Sequence, residues 1–315
     1  MKKLLGACLL IALVAGARFY YVSVQGQGNG NGQQPDVLHR PNGNPHNVGL
    51  ALTTGGTTAT SPITNHGGPV IATPTVYLIW YGNWNRGNGT DIPSGQQIVR
   101  DFVNNISGSA HYAINTSYPG VTGIVNVGTE TSDAYSRGSR LKDADIKTIV
   151  TSAITSGRLP YNTSGVYFVL TSSDVTTTSG FCTRYCGWHT YGTITPGKIR
   201  YSFVGNAARC ITSCAAQSIS PNNNPGVDGM LSVLMHELEE AVTDPDLNAW
   251  YDSAGAENAD KCAWTFGHSQ YQVANGSWAN LHLGNRDFLI QRNLYHNLNG
   301  PNGVGDYCMM DGTHN

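Results

Sequence analysis

Residues 226–245 read GVDGMLSVLMHELEEAVTDP, and the assignment of this stretch decides both fold class and chemistry. Asp228 is suited to cap a helix beginning at Gly229, since its carboxylate can accept from the open N–H groups of the first turn. Pro245 closes that helix near Thr243, because the residue before a proline is driven out of helical geometry. At 100° per residue, Leu231, Leu234, Leu238 and Val242 fall in one arc, the face expected against a core. His236 and Glu240 stand one turn apart on a different face, and Glu237 lies at the border between the two.

The pentapeptide His236-Glu237-Leu238-Glu239-Glu240 starts like the HExxH zinc helix of metallopeptidases, with glutamate in place of the second histidine. The spacing offers His236 and Glu240 as metal ligands and Glu237 as the catalytic carboxylate that takes a proton from water. Glu257 and Asp260, in GAENADKCAW (255–264), are the candidates to complete the ligand set, on a loop pinned by Cys262. One imidazole among carboxylates suits zinc. Calcium is the alternative metal: DPDLN (244–248) has the D-x-D-x-N opening of a calcium loop, but Ala249 replaces the glycine that should follow. Gly255 also stands where the closing glutamate belongs. His189, which follows a cysteine turn and could reach the site, and His66, just before the first strand, are expected to pack in preference to ligating.

Electrostatics favours an ion over a plain acidic surface. Nine of the twenty acidic residues lie between Asp228 and Asp260, while no Lys or Arg occurs from Cys210 to Asp260. Carboxylates crowded onto a partly buried helix repel one another, and a bound divalent cation relieves the repulsion. The competing reading is an acidic helix open to water, in which a His–Glu pair four residues apart is an ordinary surface contact.

Working outward, Thr75–Trp80 is apolar on both faces and reads as a buried strand. A helix follows from Pro93 to about Ile106, then a strand over Gly123–Val127, a helix from Lys142 to about Thr155, and strands at Gly165–Leu170 and Ile199–Val204. This alternation predicts an α/β fold, a mixed sheet with packed helices. The chain after Asp260 is rich in Gly, Asn and Trp without periodicity, and reads as an irregular C-terminal region.

The 315 residues include only 12% charged side chains, and the net charge is -2 with no basic block, so nothing points to nucleic acid or an anionic membrane. Residues 1–17, MKKLLGACLLIALVAGA, have the layout of a secretory signal, too short to span a bilayer. Residues 18–64 form a Gly/Asn/Gln/Thr-rich leader with little to bury. Beyond the signal stand Cys182, Cys186, Cys210, Cys214, Cys262 and Cys308, an even set that in an exported chain reads as three disulfides with fifteen possible connectivities. A four-thiolate zinc site from CTRYC (182–186) and CITSC (210–214) is the lesser alternative. No G-x-S-x-G elbow, P-loop or dinucleotide fingerprint is present.

The landmarks NHGGPV (65–70), VYLIWYG (76–82), IVRDFV (98–103), GFC (180–182) with Cys186, Gly187 and His189, FVGN (203–206) before Cys210 and Cys214, and GVDGM (226–230) together resemble the EXORDIUM, or phosphate-induced protein, family. Their shared order runs from about residue 65 to the last cysteine. The resemblance implies an exported, cell-wall or apoplast protein linked to growth and nutrient response, and it implies no biochemical activity. The combined expectation is a single disulfide-bonded extracellular domain over 65–315 with a zincin-like metal helix. Its expected activity is zinc-dependent hydrolysis of an amide bond in a peptide or cell-wall polymer. The alternative is a non-catalytic extracellular protein with a structural calcium ion or an acidic binding face.

Overall fold

A computed structural model describes residues 62–298 and 305–311; the expected signal and nearly all of the expected leader lie outside the described residues. The centre is a five-stranded sheet. Its strands are β1 (Thr75–Tyr81), β2 (Asn126–Asp133), β3 (Gly165–Thr171), β4 (Gly187–Thr193) and β5 (Lys198–Val204), in spatial order β2-β1-β3-β5-β4. β1, β2, β3 and β5 are mutually parallel, and β4 closes one edge antiparallel to β5. The mixed sheet expected from the sequence is present. β1, β3 and β5 are the interior strands, and the runs TVYLIWY of β1 and GVYFVLT of β3 are buried almost throughout, as parallel strands covered on both faces must be.

Two strands depart from the sequence reading. β2 begins at Asn126, not Gly123, and runs on through Gly128–Asp133, a polar stretch mostly open to water. An edge strand needs backbone partners more than apolar side chains, so its composition hides it. β4 was not anticipated. It follows a turn fixed by two disulfides and returns directly along β5, with His189 opposite Ser202.

α1 (Pro93–Ile106) crosses from β1 to β2, and α2 (Asp143–Thr155) crosses back from β2 to β3. Because the two crossovers run in opposite directions, their common right-handedness puts the helices on opposite faces. α2 packs on β3 and β5 through Ile146, Ile149, Val150 and Ala153, and Asp145 accepts from Lys142 N at its start. On the α1 side lies the long helix α3 (Pro225–Thr243), against β3, β4 and β5.

α3 starts four residues earlier than expected. Asn224, not Asp228, is its cap, the side-chain oxygen accepting from Val227 N at 3.2 Å, and Pro225 occupies the first turn, where its missing N–H costs nothing. Asp228 instead accepts from Asn222 N at 3.0 Å and Nδ2 at 2.7 Å, tying the preceding loop to the helix. Gly229 permits close packing: a Cβ there would lie 2.9 Å from Ala207 Cβ and from the Cys214 carbonyl. The expected single apolar stripe is corrected too, since every residue from Gly226 to Thr243 is buried. The second face is covered by Tyr112–Ser117, by the 252–262 segment and by the C-terminal region.

The cysteines pair as Cys182–Cys210, Cys186–Cys214 and Cys262–Cys308. The first two staple the turn before β4 to the short helical turn Ile211–Cys214 that leads towards α3. The third ties the loop after α3 to the C-terminal strand Tyr307–Met309. Loops of 28, 28 and 46 residues are each worth roughly 3–4 kcal/mol in chain entropy. No helix among the described residues is long and apolar enough to cross a membrane.

Burial pushes the Asp228 carboxyl up to about 6, against the pull of its Asn222 hydrogen bonds. A raised carboxylate contributes stability that is present below its unfolded pKa near 3.8 and is lost as pH rises through about 6. Relative to Asp228→Asn, which carries no charge, the parent should therefore lose stability between pH 4 and pH 7, at about 1.4 kcal/mol per pH unit and roughly 3 kcal/mol at most. Urea unfolding of both proteins at the two pH values measures this. A parent–variant difference equal at both would contradict it.

Candidate metal centre

α3, β4 and the 252–262 loop bring two imidazoles and several carboxylates together in the interior. His236 Nε2 lies 2.9 Å from Glu240 Oε1 and 3.7 Å from Asp260 Oδ1. The Asp260 backbone N–H also donates to Glu240 Oε1 at 3.0 Å, which sets the loop against the helix. The other oxygen, Glu240 Oε2, is 3.6 Å from His189 Nδ1, and Glu237 Oε2 is 3.5 Å from the same nitrogen. His189 Nε2 faces Glu257 Oε2 at 3.6 Å. The chain thus forms two donor groups, His236–Glu240–Asp260 and His189–Glu237–Glu240, in each of which one donor atom per residue lies within 4.8 Å of the others.

Each residue reaches this place for a local reason. His236 and Glu240 stand one turn apart on α3, and Glu237 adjoins His236 on the neighbouring face. Gly187 and His189 share a face of β4 by the two-residue alternation of a strand. A Cβ on Gly187 would stand 2.5 Å from Val233 Cγ1, so glycine lets the strand run close under the helix and sets His189 against Glu237 and Glu240. Asp260 and Glu257 come from the loop held by Cys262–Cys308.

The electrostatics of the group are set by burial. Burial and the neighbouring Glu240 charge push Glu237 up to about 8, while the two imidazoles pull it down. Burial works against a cation on His236, yet Glu240, Asp260 and Glu237 outweigh it and hold the imidazole well above its usual value. Burial raises Asp244 against its bonds to Glu257 and to the Ala249 and Asn248 amides. The Glu237 side chain is fully buried, and its carboxylate is met by His189 Nδ1 at 3.5 Å, with no closer hydrogen bond among the described residues. Such a group is costly in a protein interior unless it is neutralised or bound to a cation.

Of the residues singled out in the sequence, His236, Glu240 and Asp260 meet in one group. Glu237 lies beside Glu240 and faces β4. Glu257 is placed elsewhere: it stands behind His189, so the loop offers Asp260, not Glu257, to His236. His189, expected to pack, faces three glutamates. The reading of 244–248 as a calcium loop fails. Asp246 is paired with Lys198 at 2.7 Å and Arg200 at 3.0 Å, and Asp244 Oδ1 accepts from Ala249 N at 2.7 Å as the closing group of a turn. These contacts also correct the charge argument, because β5 supplies cations that the local sequence lacks, and Lys261 answers Asp252. The imbalance narrows to the interior group around α3, whose partners are imidazoles. Glu239 belongs to a separate contact, with His111 Nε2 at 3.1 Å, while His111 Nδ1 bonds the Met310 carbonyl at 2.8 Å. His66 packs as expected, stacked on Tyr251 at 3.6 Å.

The family model described as the phosphate-induced protein 1 conserved region matches residues 63–284. EXORDIUM-like 3 of Arabidopsis thaliana is 35% identical over 76% of this chain and 83% of its own length. EXORDIUM-like 5 of the same plant is 31% identical over 76% and 77% respectively. PHOSPHATE-INDUCED 1 of Nicotiana tabacum is 27% identical over 73% and 78%. No solved structure matches the chain.

Gly187→Ala tests the packing that sets His189 under α3. The added methyl would meet Val233, the Phe203 carbonyl at 3.0 Å and Glu237 Oε1 at 3.1 Å. Such overpacking costs about 1–3 kcal/mol, or a fall of several degrees in melting temperature. A thermal melt indistinguishable from the parent's would contradict this placement of β4.

Proposed function

The chain belongs to the phosphate-induced protein 1, or EXORDIUM, family, and within it we propose an exported metalloprotein with a divalent cation on α3, acting as a zinc-dependent hydrolase of amide bonds. His236, Glu240 and Asp260 hold the ion, since one imidazole with two carboxylates suits zinc. Zinc supplies Lewis acidity, lowering the pKa of water towards 7. Glu237, next to His236 and beside Glu240, serves as the general base. The substrate class is an extracellular peptide or a cell-wall polymer, in keeping with export and with a disulfide-bonded domain.

The observation that carries this reading is the convergence of His236, Glu240 and Asp260 from a helix and a disulfide-pinned loop, with the fully buried Glu237 beside them. One observation favours a second reading, an ion that stabilises without turnover. The side chains of His236, Glu240 and Glu237 are wholly buried, and only Asp260, at 10% exposure, reaches solvent.

Elemental analysis of the purified protein, before and after chelation, tests the proposal. Zinc at one or more ions per chain, lost together with hydrolysis of a labelled protein or cell-wall substrate, is the expected result. Glu237→Gln should keep the ion held by His236, Glu240 and Asp260 and lose turnover by roughly 10²–10⁴-fold. Undiminished turnover in that variant ends the base assignment. Metal whose removal lowers the melting temperature, with no hydrolysis in any preparation, establishes the stabilising ion instead.

A further inference from the structure

Glu240 presents its two carboxylate oxygens to two different imidazoles, Oε1 to His236 and Oε2 to His189. From this geometry we propose that α3 carries a pair of divalent cations bridged by Glu240, the second held by His189 Nδ1, Glu237 and Glu240. The proposal rests on the metal reading above and extends it from one ion to two.

Three features support a second ion. The first is the donor set: an imidazole nitrogen and two carboxylates from separate elements converge with their donor atoms within 4.8 Å of one another. The second is what stands behind His189. Its Nε2 faces Glu257 at 3.6 Å, and Asp244 in turn is hydrogen-bonded to Glu257. Metal-bound imidazoles characteristically give their other N–H to a carboxylate, which fixes the ring and strengthens the ligand. Glu257 is thereby a positioning residue. The third is Glu237, fully buried, whose Oε2 lies 3.5 Å from His189 Nδ1, so that both side chains present donor atoms to one place.

Paired ions joined by one carboxylate sit about 3.5–4 Å apart, and a carboxylate whose two oxygens face separate donor groups has the shape for that bridge. Filling the second place makes Glu237 a ligand and withdraws it from service as a base. The second ion is therefore a control on the first: a chain loaded at the His236 group alone keeps its base, and a chain loaded at both groups does not.

The test is a count of zinc bound by the chelated, re-loaded full-length protein. Equilibrium dialysis should find two ions per chain, one in His189→Ala, one in His236→Ala and none in Glu240→Gln. A parent that binds one ion, kept in His189→Ala and lost in His236→Ala, overturns the pair and leaves the single-ion reading standing. A parent that binds no ion overturns both. Two ions retained in His189→Ala also overturn the assignment. Manganese loading of the unaltered protein avoids any folding defect in the variants. Two Mn²⁺ sharing Glu240 should give an exchange-coupled electron paramagnetic resonance signal, and two isolated Mn²⁺ signals at full loading contradict the bridge.

Discussion

The structure depends on a helix that buries its polar side. α3 is nineteen residues long and closed to water on every face, although it carries His236, Glu237, Glu239 and Glu240 in its last two turns. An ionised carboxylate in an apolar interior is unstable by several kcal/mol unless a cation or strong donors meet it. What meets these groups is histidine: His111 from beside the 3-10 turn Tyr112–Ser117, His189 from β4, and His236 from the helix itself. The tertiary fold brings these histidines together, and each approach needs a device. Gly187 lets β4 pass under the helix, two disulfides hold the turn that launches β4, and a third fixes the loop that carries Asp260.

The surrounding architecture explains why so polar a helix is tolerated. The sheet behind it is built from runs such as TVYLIWY and GVYFVLT, whose burial supplies the driving force for folding. Carboxylates further along the acidic stretch are answered by ordinary cations, with Asp246 against Lys198 and Arg200 and Asp252 against Lys261. Glu239 and the group facing β4 and the 252–262 loop are left to imidazoles. That division follows from which elements reach each acid.

Much of this was legible in the sequence because its signals are local. Continuous apolar runs marked β1 and β3, helical spacing marked α1, α2 and α3, and the cysteine count marked three bridges. The errors lie where the cause is non-local. β2 is polar because an edge strand is held by backbone pairing, and β4, GWHTYGT, lacks a continuous apolar run and is preceded by a cysteine turn that masks it. His189 was missed for the same reason, although Gly187 two residues earlier was a usable sign of close approach on the same face. The start of α3 was signalled by Asn224-Pro225, a cap followed by a first-turn proline, but Asp228 offered a competing cap. Glu257 and Asp260 were equivalent in sequence, and only the path of the loop set one before His236 and the other behind His189.

The central claim is that the imidazole–carboxylate group on α3 is a zinc site. X-ray absorption at the zinc edge of the loaded protein tests it most directly. The account predicts a first shell of nitrogen and oxygen at about 2.0–2.2 Å with imidazole scattering beyond it and no sulfur. A shell of water oxygens without imidazole, or sulfur at about 2.3 Å, would contradict it.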